Sequence, residues 1–144
     1  MAVAHKSATL PASQQQLWEL IADPHHIPRW WPGVERVEGV KEDRFTQVLK
    51  TKRGRPVRAD FRIVESQPPW AQAWSQEIAG TPFARVLSAS VIEIHLEPVG
   101  DGTRVTITQQ QKLRGYSRTG GLMLRRATAA KLSEALDGLA RISG

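Results

Sequence analysis

Residues 3–10, VAHKSATL, alternate apolar and polar side chains and predict a strand that ends at Pro11. The period then changes. In SQQQLWELIAD, Leu17, Trp18, Leu20 and Ile21 recur at helical spacing. Ser13 precedes that face as an N-cap, and Gln16 stands three residues on, where a capping box has its second member. Asp23 before Pro24 is another cap, with proline at the first helical position. A second, short helix is therefore predicted through His25 to Ile27, stopping near Pro28, with RWWPGV continuing as irregular chain.

From Val34 the pattern is that of strands. VERVEGVKE and RFTQVLKT are joined through Glu42-Asp43, and KRGRP offers Gly54 and Pro56 as turn residues. VRADFRIVES sets Val57, Ala59, Phe61 and Ile63 on one face and Arg58, Asp60 and Arg62 on the other. After the PPW break, AQAWSQEI presents Trp74, Gln76 and Ile78 together. ARVLSASVIEIHLEP reads as a long strand from Ala84, GDGT as a tight turn, and RVTITQQQKL as the last strand. Val105, Ile107, Gln109, Gln111 and Leu113 share one of its faces.

The C-terminal segment returns to a helical period. YSRTGG leads into about two dozen helix-forming residues from Leu122. Leu122, Ala129, Leu132, Ala135, Leu136, Leu139 and Ile142 fall on one stripe. Gly120-Gly121 at its entrance suit a close backbone approach, a hinge, or a loop with positive φ. The predicted order is β-α-α-β6-α. This is an α+β fold, a curved antiparallel sheet of about seven strands with its helices gathered on one face. No repeat, linker or low-complexity tract interrupts it, so residues 1–144 are expected to form a single domain.

Charge adds one asymmetry. Twenty Lys and Arg face fourteen Asp and Glu, a net +6. Between Arg44 and Arg62 five further basic residues have Asp60 as their only acid, and from Lys112 to Lys131 there is no acid at all. Such clusters attract anions, or serve as a solvated sheet edge that resists pairing. Cysteine is absent, which removes disulfides and thiolate metal sites. The start MAVAHKSATLPAS lacks the apolar stretch of a signal peptide, and no apolar run approaches a membrane span, so a cytoplasmic protein is the default expectation.

LPASQQQLWELIADPHHIPRWWPGVERVE, then LEPVGDGTRVTITQ, then a long terminal helix resemble the START/Bet v 1-like (SRPBCC) superfamily, and within it the polyketide cyclase/dehydrase group. Ser13, Trp18, Asp23-Pro24, Pro28, Trp30, Pro32, Val34, Pro98, Gly102, Thr103 and the helix from Leu122 carry the resemblance over essentially the whole chain. It implies a helix-grip, the sheet wrapped around the last helix, with a deep cavity for a hydrophobic small molecule such as a lipid or polyketide. Only some members are catalysts, and fold alone does not supply the chemistry. Trp31 is an extra beside the family's usual Trp30.

A pocket left between sheet and helix would be apolar with a few orienting polar groups. Trp30, Phe61 and Trp74 are the candidate apolar walls, Gln76, Gln109 and Gln111 the candidate amides, and Tyr116 and Met123 the candidates at the helix entrance. The competing reading makes the aromatics plain core and the glutamines a buried network. Trp31 cannot easily face the way Trp30 does, so it is expected at the rim or surface, and the double-indole segment reads as a lid. Adjacent His25 and His26 make a poor chelating pair, no metal motif or cofactor loop is present, and no catalytic triad can be assigned. KTKRGRPVR has no interleaved aromatic to stack on bases, which argues against nucleic acid as the partner.

Overall fold

The computed structural model describes residues 1–51, 54–115 and 118–144, with Arg118 and Thr119 described by their backbone alone. Strands β1 (Ala2–Leu10), β2 (Val34–Lys41), β3 (Arg44–Leu49), β4 (Val57–Gln67), β5 (Ala71–Glu77), β6 (Leu87–Val99) and β7 (Gly102–Leu113) form one antiparallel sheet in the order β1-β7-β6-β5-β4-β3-β2. Helices α1 (Gln14–Ala22) and α2 (Ile27–Trp30), with a 3-10 turn at Pro24–His26 between them, lead from one sheet edge to the other. Helix α3 (Arg118–Ser143) packs against β1, β7, α1 and α2. This is the helix-grip arrangement.

Local chemistry explains the first helices. Ser13 Oγ accepts from the Gln16 N–H at 3.1 Å, and Gln16 Oε1 accepts from the Ser13 N–H at 3.0 Å, closing the capping box. Asp23 Oδ1 accepts from the His25 N–H at 3.0 Å and caps the turn that follows. Pro28 does not stop α2, which runs on to Trp30. Proline there sits in the first turn, where its missing N–H has no intrahelical partner to lose.

Two other boundaries depart from expectation. Pro82–Arg85 is a 3-10 turn, so β6 begins at Leu87 and not at Ala84. Pro82 occupies its first turn, a start signal that the apolar run beyond it obscures. Helix α3 begins at Arg118 and takes in Gly120 and Gly121, neither of which has positive φ. The reading of those glycines as a left-handed loop is therefore corrected.

Inner-face residues fall as the alternation predicts. Ala59, Phe61, Trp74, Ile92, Ile94, Leu96, Val105 and Ile107 are buried, while Arg58 and Asp60 are exposed. Leu132, Ala135, Leu136 and Leu139 of α3 close the core against them. Leu122, placed on the same stripe by its period, is 42% exposed.

Candidate functional site

The double-indole segment is core. Trp30 and Trp31 are both buried, and Trp31, expected at the rim or surface, is only 5% exposed. Trp31 escapes that expectation because it lies beyond the last helical residue, in extended conformation, which swings its ring back inward. The rings of Trp30 and Trp31 meet edge to face at 5.5 Å, and Trp31 meets Trp74 at 5.7 Å. Phe45 packs against Trp74 at 5.4 Å and stacks on Phe61 at 5.3 Å. Such edge-to-face and offset pairs suit the aromatic quadrupole. Trp74 Nε1 donates to Gln72 Oε1 at 2.8 Å, while Trp30 Nε1 has no partner among the described residues.

The closeness of this packing has a backbone cause. A Cβ at Gly138 would collide with the carbonyl of Trp30 and stand 2.9 Å from its Cα. Glycine lets α3 touch the backbone of α2. Sequence reasoning passed over Gly138, although an isolated glycine deep in a helical pattern is the usual signal of such a contact.

Polar groups gather on the same inner face, nearer the start of α3. Across β6 and β7, Leu87 pairs with Leu113, Ser90 with Gln111, and Ile92 with Gln109. Ser75 pairs with Val91, so Gln76 and Ser90, the next residues out, take adjoining inner positions. Gln109 Nε2 donates to Ser90 Oγ at 3.2 Å, and Thr128 Oγ1 of α3 donates to Gln111 Oε1 at 3.0 Å. Gln76 Nε2 and Gln109 Oε1 are buried without a partner among the described residues. Unpaired buried amides cost roughly 1–3 kcal/mol each, so a row with two of them calls for a water or guest.

One rung outward from that row opens an apolar cavity of about 490 Å³, lined chiefly by Val86, Leu87, Leu113 and Leu124, with Arg85 and Arg114 on its wall. It lies between the Pro82–Arg85 turn, the end of β7 and the first turns of α3. None of the seven sequence candidates among the described residues lines it. Gln76, Gln109 and Gln111 belong to the row beneath it, Trp30, Phe61 and Trp74 to the core beyond, and Met123 is 66% exposed on α3. Tyr116 lies outside the described residues. The Arg85 part of the wall went unread because the end of the turn carrying it looked like strand.

A groove of about 450 Å³ beside Trp30 and Trp31 is charged by comparison, bordered by Arg29, Lys50, Glu134, Asp137 and Arg141. At its neighbouring helix start, burial opposes the charge of Asp23. Hydrogen bonds from the His25 N–H and ring, with the charges of His25 and His26, outweigh it and hold the carboxyl below its ordinary range. On the outer face Arg36 and Arg58 clamp Glu38 at 2.6 and 2.8 Å, and hydrogen bonds from both guanidinium groups lower its pKa. Arg62 lies 3.6 Å from Glu77. The basic cluster between Arg44 and Arg62 is thus partly neutralised by acids from neighbouring strands.

The chain matches the model of the family described as polyketide cyclase/dehydrase and lipid transport over residues 1–144. No curated protein matches the sequence significantly. Among solved structures it is similar to a START superfamily protein from Mycobacterium smegmatis, at 11% identity and TM-score 0.80, covering 99% of this chain and 97% of that one. XoxI from Bacillus cereus gives 16% identity and TM-score 0.79, covering 99% and 96%. The di-domain ARO/CYC protein BexL of the BE-7585A biosynthetic pathway gives 21% identity and TM-score 0.80, covering 98% of this chain and 46% of its own length. At these identities the likeness is one of fold. Among the described residues no helix is long and apolar enough to cross a membrane.

Proposed function

Because the chain belongs to the polyketide cyclase/dehydrase and lipid transport family, we propose that it binds a hydrophobic small molecule through the cavity at the start of α3. The observation that carries this reading is the order of side chains going inward. An apolar mouth at Val86, Leu87, Leu113 and Leu124 is followed by the row of Ser90, Gln111, Gln76 and Gln109, with two amide groups lacking partners among the described residues, and then by the aromatic core. A volume of about 490 Å³ falls in the ordinary range of small-molecule sites, about 300–1,000 Å³. The ligand that fits is an apolar body bearing a carbonyl, which would accept from Gln76 Nε2 on entering, or a hydroxyl, which could also donate to Gln109 Oε1.

Calorimetric titration with paired ligands, hydrocarbon and carbonyl-bearing, tests it. Leu124→Trp fills the mouth and is expected to abolish binding of both. Gln76→Leu, which removes the amide donor left without a partner, is expected to weaken only the carbonyl-bearing ligand, about tenfold for one lost hydrogen bond of roughly 1.4 kcal/mol. Binding unchanged in Leu124→Trp, or no ligand saturating below high micromolar, would end this reading.

A second reading is a polyketide cyclase or dehydratase working in the same space, favoured by the amide row, which would hold the carbonyls of a poly-β-ketone. It requires turnover of a poly-β-ketone surrogate that disappears in the Leu124→Trp variant.

A further inference from the structure

The charge of this protein is concentrated at one end. Six of its twenty basic residues lie between Lys112 and Lys131 with none of the fourteen acids, so the fourteen basic residues elsewhere are matched one for one by acids. The whole net charge of +6 therefore belongs to the end of β7 and the first half of α3. Lys112, Arg114, Arg125, Arg126 and Lys131 are exposed, as is Arg85 on the facing turn. None of these six forms an ion pair with a described residue, unlike Arg36, Arg58 and Arg62 of the other basic cluster.

Exposed apolar side chains occupy the same end. Met123 is 66% exposed, Val86 58% and Leu122 42%. Val86 lines the cavity, and Leu122 and Met123 neighbour Leu124, which also lines it. On α3 Met123 stands three residues from Arg126, and Leu122 three and four from Arg125 and Arg126, so apolar and cationic groups adjoin on one surface. A nucleic acid would use the cations and leave the apolar groups wet. Among the described residues, the exposed surface here also has no large aromatic ring for a base to stack on, since the exposed Trp70 follows β4.

We propose that this end docks on an anionic lipid bilayer, with Val86, Leu122 and Met123 entering the interface, the arginines and lysines against the headgroups, and the cavity mouth facing the membrane. Interfacial attachment of this kind combines buried apolar area with attraction to acidic lipids, and each basic side chain near the surface is worth about fivefold in affinity. The proposal does not depend on what occupies the cavity.

The chain has no cysteine, so Met123→Cys carries a single thiol for an environment-sensitive fluorophore. Mixing this labelled protein with phosphatidylcholine vesicles containing about one third phosphatidylserine is expected to shift the emission to the blue, as the probe enters the interface. Pure phosphatidylcholine vesicles and heparin are expected to leave it unshifted. Sedimentation with the acidic vesicles is expected to weaken about 25-fold in Arg125→Gln/Arg126→Gln, to fall with added salt, and to stay unchanged in Arg104→Gln at the opposite end of β7. Because these positions are exposed, the variants should melt as the parent does. Equal binding to neutral vesicles, a blue shift with heparin, or acidic-vesicle binding without any probe shift would each overturn the proposal, the last by making the surface a general polyanion site.

Discussion

The two halves of α3 carry the same apolar period and meet opposite fates. From Thr128 to Leu139 the helix presses on β1, α2 and the indoles, with Gly138 against the Trp30 backbone. From Gly120 to Arg126 it borders a cavity, exposes Leu122 and Met123, and carries cations with no ion pair among the described residues. A hydrophobic stripe says that a helix seeks a partner; it does not say how far along the partner extends. Here α2 and the aromatic cluster fill one end of the sheet's concave face, and nothing comparable among the described residues fills the other.

The sharpest way to break this comparison is to truncate leucines in both halves. Leu132→Ala, fully buried, is expected to cost about 2–5 kcal/mol, whereas Leu124→Ala at the cavity should cost under about 1 kcal/mol. Denaturant titration of both variants measures the gap, and equal losses would mean the two halves are packed alike. Next in size is Gly138→Ala. Its methyl group has backbone, not a yielding side chain, in its way, so a loss of about 1–3 kcal/mol is expected despite the better helix propensity of alanine.

Gly121→Ala should do the reverse. Its Cβ would stand 3.7 Å from Leu113 Cδ1, an ordinary contact, so the helical gain of roughly 0.5–1 kcal/mol is realised as a higher melting temperature. A loss of stability there would show that the first turn of α3 is as tightly packed as the rest. The smallest effect is expected from Asp23, at the tight end. Its carboxyl has a lowered pKa in the folded state, so its charge stabilises above the unfolded value near 3.9 and that contribution disappears as pH falls through the lower folded value. Asp23→Asn keeps a capping oxygen, so it should be less stable than the parent by about 0.5 kcal/mol at pH 6 and indistinguishable from it near pH 2. Stability curves of the two proteins against pH check this.

Much of the architecture was legible in the chain itself because its causes are local. Ser13 with Gln16 and Asp23 with Pro24 cap helices through atoms two or three residues away. Phe61, Trp74, Gln109 and Gln111 alternate with polar neighbours, which is enough to assign them to the inner face. The order of strands and helices, and the resemblance to a helix-grip family, follow from the same signals.

Tertiary contact decided the rest. Whether Trp31 faced solvent or core depended on α2 continuing two residues past Pro28 and on Trp74 and Trp30 waiting to receive its ring. The position of the opening depended on where the filling elements stop, a property of several segments far apart in the chain. A period along one segment fixes which way its side chains point. Which of them find something to touch is settled only when distant segments meet, and in this protein that decision separates a closed aromatic end from an open cationic one.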